Sequence, residues 1–111
     1  MKNNQDLELG FYEAMIGIYE QAKLELNYRG TRFLQVVSEH GGLKAAKIFL
    51  SAKGYSEGFI KLWKKKRLDL SMEAMIVENP KWHCLFTKGE LLIAEKRLIS
   101  LEYKPKIKNY L

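Results

Sequence analysis

The chain has 111 residues, of which 47% are hydrophobic and 29% charged, with a formal net charge of +6. That length suits one domain with one core, and glycine and proline are too few for a disordered or collagen-like chain. Cys84 is the only cysteine, so an internal disulfide is excluded, and every apolar stretch is broken by charge before the roughly 18 residues that a membrane span needs. The opening residues carry Asp6, Glu8 and Glu13 where a signal peptide has an unbroken apolar run, so a cytoplasmic protein without a membrane partner is expected.

Leu7, Phe11, Ala14, Met15, Ile18 and Ala22 recur at the offsets of one helical stripe and predict a first helix ending near Asn27. Asp6, Glu13 and Glu20 repeat every seven residues and share its outer face. A second helix is expected from about Gly30 to Glu39, burying Phe33, Leu34, Val36 and Val37 and stopped by His40-Gly41-Gly42. Leu43 to Ala52 reads as a third helix. Lys53-Gly54-Tyr55 then turns the chain, and Ser56 is placed to cap a fourth helix reaching Lys66. In that helix Phe59 and Trp63, four apart, are expected to stack on one face with Leu62 between them. Lys61, Lys64 and Lys65 lie on another face.

Ser71 can cap a fifth helix carrying Met72, Met75 and Ile76, and Asn79-Pro80 ends it. The last helix has the clearest start signal. Thr87-Lys88-Gly89-Glu90 fits a capping box before Leu91, Leu92, Ala94, Leu98 and Leu101, and Pro105 closes the helix. Six short helices without period-two alternation predict an all-α fold: one compact domain over 1–111 with tails at 1–5 and 104–111. Tyr110 and Leu111 are candidates to dock back on the body.

Charge is unevenly spread. Residues 1 to 26 hold Lys2 and Lys23 against five acids, a net −3, which leaves +9 for the rest. Five of the cations fall in Lys61-Leu62-Trp63-Lys64-Lys65-Lys66-Arg67, and Lys104, Lys106 and Lys108 face no acid in the tail. A basic patch opposite an acidic first helix is the pattern of a protein that meets polyanion with one face. The alternative reading is a solvated helix face that maintains solubility. The residues from Gly42 to Leu70 also follow the order of a degenerate helix-turn-helix, or else form two bundle helices packed at an angle. The first turn of the second helix offers only Ser56, Glu57 and Gly58, with no Arg, Asn or Gln for base edges, so contact with phosphates should dominate.

The candidate nucleic-acid-binding residues are thus Lys61, Lys64, Lys65 and Arg67, the tail residues Lys104, Lys106 and Lys108, and Arg29 near the start of the second helix. The other reading of that start pairs Arg32 with Asp69 or Glu73 and locks helices together. His40, His83 and Cys84 lack paired metal-ligand spacing, and Cys84 reads as a buried thiol between Trp82 and Leu85-Phe86. No carboxylate pair, phosphate-cradling glycine loop or serine nucleophile motif appears, so no cofactor and no enzymatic activity are expected. A protein-interaction module offering its basic helix to an acidic partner is the competing class.

Tyr28, Thr31-Arg32-Phe33-Leu34-Gln35, His40-Gly41-Gly42, Ala45-Ala46, Gly58-Phe59, Leu62-Trp63, Arg67-Leu68-Asp69-Leu70-Ser71-Met72-Glu73-Ala74, Trp82, Leu85-Phe86, Glu90, Ala94 and Arg97-Leu98 form a pattern over about two thirds of the chain. It resembles a widespread family of small bacterial helical proteins and appended domains. The resemblance implies a compact helical module and an association with mobile elements or antiviral defence. It carries no catalytic or ligand assignment.

Overall fold

The structure, a computed structural model, describes residues 4–106. The chain runs through α1 (Asn4–Leu26), α2 (Thr31–His40), α3 (Gly42–Ser51), α4 (Glu57–Lys64), a 3₁₀ turn (Leu68–Leu70), α5 (Met72–Val77), a second 3₁₀ segment (Pro80–Leu85) and α6 (Lys88–Ser100). No strand forms among the described residues. Lys108, Tyr110 and Leu111 lie outside them.

α5 is the hub. Every residue from Met72 to Val77 is buried, as expected of a short helix surrounded by others. α6 packs closely along it, α1 and α2 pack on α3, and α3 reaches α6. Phe11, Met15, Val37, Leu50, Ile76 and Leu98 fill the centre. Trp82 and Phe86 meet Phe11 edge-on at 5.4 and 5.5 Å, which fastens the second 3₁₀ segment to α1.

The three expected N-caps all form. Ser56 Oγ accepts the Phe59 N–H and Ser71 Oγ accepts the Ala74 N–H, each at 3.1 Å. Thr87 and Glu90 close the reciprocal capping box at 3.1 and 2.9 Å. Gly41, at φ 82°, breaks the chain between α2 and α3. Gly42 serves a different purpose from the helix stop expected of it. A β-carbon there would lie 2.7 Å from Tyr12 Cα, so its bare backbone lets α3 touch α1.

Two expectations fail on helical phase. Trp63 does not stack on Phe59: Phe59 is buried and pairs with Tyr55, rings 5.6 Å apart and 11° from parallel, while Trp63 stays 42% exposed. Leu62 and Phe59 fix the inward direction of α4, and Trp63 falls on the far side of Phe59 from Leu62. Cys84 is exposed rather than buried, because the 3₁₀ turn directs Trp82 and Phe86 inward and leaves the thiol outside. Arg32 holds neither expected acid: Asp69 is bound by Arg67 and Glu73 by Arg97.

Candidate nucleic-acid interface

α4 is an amphipathic helix seated on Phe59 and Leu62, with Lys61 and Lys64 exposed and Lys65 and Lys66 exposed just beyond its end. It ends in a Schellman turn. Lys66 N–H donates to the Trp63 carbonyl at 2.9 Å and Arg67 N–H to the Leu62 carbonyl at 2.8 Å, with Lys66 in the left-handed region at φ 59°. A lysine therefore stands where glycine is usual. Among the described residues, none of Lys61, Lys64, Lys65 and Lys66 forms an ion pair. Trp63 rises among these lysines with its indole accessible.

Arg67 departs from the expected patch. Its Nη1 lies 2.8 Å from Glu25 Oε1, and Nε and Nη2 grip Asp69 at 3.0 and 3.1 Å. Asp69 and then Glu25 push the guanidinium well above its ordinary pKa. Gln21 and Arg67 hold the Glu25 carboxyl below its usual 4.5. Arg67 is thus a neutralised strut, and Glu25 brings the acidic first helix against the basic run. The acidic helix does not lie wholly opposite the cations.

The start of the tail is anchored on Glu78. Tyr103 O–H donates to Glu78 Oε2 at 2.6 Å, and the Lys106 backbone N–H reaches that oxygen at 3.1 Å. Burial pushes the Tyr103 phenol up, Glu78 pushes it further, and the charge of Asp69 also reaches it. Lys104 and Lys106 are exposed beside this anchor on Glu78. Arg29 does not join the lysines. It borders the opening turn of α4, beside Ser56, Glu57 and Gly58, at the end of the helix away from Lys64 and Lys65.

The helix-turn-helix likeness extends only to the order of the elements. α4 takes its main backbone contacts from the Leu68–Leu70 turn rather than from α3. Its first turn faces Tyr28, whose hydroxyl would lie 3.3 Å from a β-carbon on Gly58. A recognition helix reads bases with polar side chains at that end, and α4 presents only Ser56, Glu57 and Gly58 there, beside Tyr28.

Sequence reasoning missed two members of this surface, Lys66 and the outward indole of Trp63. The signal for both was present: lysines bracket the tryptophan, and Phe59 with Leu62 already define a complete inward stripe.

Among the described residues no group of three His, Cys, Asp or Glu side chains is placed to hold a metal, and no helix is long and apolar enough to cross a membrane. His83 Nε2 lies 3.0 Å from the Ile76 carbonyl. Compared with known proteins, the chain matches no family model, no curated protein and no solved structure.

Proposed function

We propose that the protein is a cytoplasmic, non-enzymatic helical module that contacts nucleic acid through phosphates. Lys61, Lys64, Lys65 and Lys66 serve as the anchoring cations, and Lys104 and Lys106 extend the footprint. One observation carries this reading: an exposed indole, Trp63, stands among four exposed lysines that form no ion pair among the described residues. Lysines track a phosphate chain, and an aromatic face stacks on bases without regard to sequence, worth about 1–3 kcal/mol per base. Single strands, whose bases are free to stack, fit better than duplex.

The test is fluorescence anisotropy with a labelled single-stranded oligonucleotide across a sodium chloride series. Four phosphate contacts give a log-log slope of roughly −3. Trp63 emission should be quenched on binding, whereas Trp82, 6% exposed, should not respond. Binding that ignores salt, or quenching that survives Trp63→Phe, contradicts the proposal.

A second reading rests on α6, where Leu92 and Ile99, seven residues apart, are 51% and 56% exposed. Such a strip suits a protein partner. Light scattering that finds a stable oligomer, with loss of assembly in Leu92→Lys, favours this reading over the first.

A further inference from the structure

A cleft of about 310 Å³ opens between the α1–α2 connection, the start of α2, the end of α3 and the start of α4, and the basic surface does not use it. Its walls are mostly apolar: Ile18, Ala22, Phe33, Phe49, Phe59 and Leu62. Phe33 and Phe49 stack within 10° of parallel at 5.6 Å and form a flat side. The volume lies at the lower end of the range for small-molecule pockets, too small for a partner helix and large enough for a two-ring aromatic.

The polar groups concentrate at one edge. Arg29 and Arg32 are exposed there, and neither forms an ion pair among the described residues. Gly30 caps α2 without a side chain, so the first-turn amides of Arg32 and Phe33 have no capping oxygen. Against these donors the lining sets two carboxylates, Glu57 and Glu73. Glu73 is already bound to Arg97 at 3.1 Å, so the open edge carries two arginines against Glu57. Apolar walls with a cationic rim select a ligand whose body is flat and apolar and whose head is negative.

We propose that this cleft is a binding site for a small aromatic anion, with its ring system against Phe33, Phe49 and Phe59 and its carboxylate or phosphate held by Arg29 and Arg32. The Tyr28 hydroxyl, half-buried beside Gly58, forms the inner polar wall. Tyr28 is pushed above its usual pKa, first by burial and then by Glu57, so it stays protonated at neutral pH.

The test uses the full chain and three probes: 1-naphthyl phosphate, 1-naphthoate and uncharged 1-naphthol, followed by calorimetry and by amide chemical shifts. The anions should bind one to one, more tightly than the naphthol, and move the amides of Thr31, Arg32, Phe33 and Gly58. The Arg29→Ala, Arg32→Ala double variant should weaken the anions about tenfold or more and leave the naphthol unchanged. Both arginines are exposed, so this variant should fold. Ala52→Trp, which fills the mouth from an exposed position, should abolish all three. A preference for phosphate or for carboxylate identifies the head group. Failure of both anions to bind, equal binding of the naphthol, indifference to the arginine substitutions, or shifts confined to Trp63 and its lysines each overturns the proposal.

Discussion

Arg97 Nη1 lies 3.1 Å from Glu73 Oε2 inside the core, with both side chains almost wholly buried. The same guanidinium donates to the carbonyls of Phe49, Leu50 and Ala52 at 3.1, 3.4 and 2.8 Å. These oxygens lie at the end of α3, where the chain leaves in an extended conformation without a glycine cap. The last carbonyls of a helix need outside donors, and Arg97 supplies them from α6. One side chain thus ties α3 to α5 and α6, and all four of its acceptor contacts depend on the planar fork of donors that arginine alone offers among the cations.

Arg97→Met should therefore cost about 3–5 kcal/mol, the usual loss when one partner of a buried pair is removed. Urea unfolding measures it. Adding Glu73→Gln should recover part of the loss, because an uncompensated carboxylate no longer has to be buried. An additive double variant would mean that Glu73 and Arg97 do not act as a pair.

Glu73 also sets a pH dependence. Burial pushes its carboxyl above the usual 4.5, more than Arg97 and the backbone pull it down. With the folded pKa above the unfolded one, the folded state binds the extra proton. The contribution is fully present below 4.5 and is lost as pH rises through the raised value. Wild type should consequently lose stability relative to Glu73→Gln as pH rises from the ordinary 4.5 through the raised value, measured by denaturant unfolding at each pH. The opposite trend would place the Glu73 pKa below 4.5.

Local signals were legible in the sequence and distant ones were not. Ser56, Ser71 and Thr87 announce their helices because each cap is decided within four residues. The stripe from Leu7 to Ala22 predicts the buried face of α1, where Phe11 and Met15 are fully enclosed. Arg97 and its carbonyl partners are 45 to 48 residues apart, so no periodicity points to them. The pairing of Arg67 with Glu25 spans 42 residues and removes a cation that the local charge count had left free. Cys84 misled because its apolar neighbours in sequence, Trp82 and Phe86, turn inward while the 3₁₀ segment leaves the thiol outside. The cleft draws on six elements, none of which carries a recognisable motif by itself.

Gly42→Ala should destabilise the fold by about 1–3 kcal/mol, the cost of forcing an added methyl into a packed contact. Its β-carbon would meet the Tyr12 backbone, which cannot swing away as a side-chain tip could. Gly17→Ala is the control, since nothing lies within 4 Å of a β-carbon there. Thermal unfolding of the two variants should separate them by several degrees. Equal melting temperatures would mean that α1 and α3 do not approach this closely.

Lys66→Gly should raise stability by about 1 kcal/mol, because a left-handed residue with a β-carbon is replaced by one without. The same change removes one proposed phosphate contact and should lower the magnitude of the salt slope by about 0.7 for a single strand. Stability and affinity then move in opposite directions in one variant. A stabilised protein with an unaltered slope would remove Lys66 from the interface.

Arg67 offers the sharpest separation of structural from ligand-facing charge. Its guanidinium is bound to Glu25 and Asp69, so Arg67→Gln should leave the salt slope of oligonucleotide binding nearly unchanged. Replacing both acids, Glu25→Gln with Asp69→Asn, frees the guanidinium beside four lysines. Affinity should rise, and the slope should steepen by about 0.7 for the added contact. Lys64→Gln and Lys65→Gln, each removing a lysine that forms no ion pair among the described residues, should flatten the slope by the same step. If instead Arg67→Gln flattens the slope and the double acid variant leaves it unchanged, Arg67 already contacts phosphate in the complex, and the grip of Glu25 and Asp69 opens when nucleic acid binds.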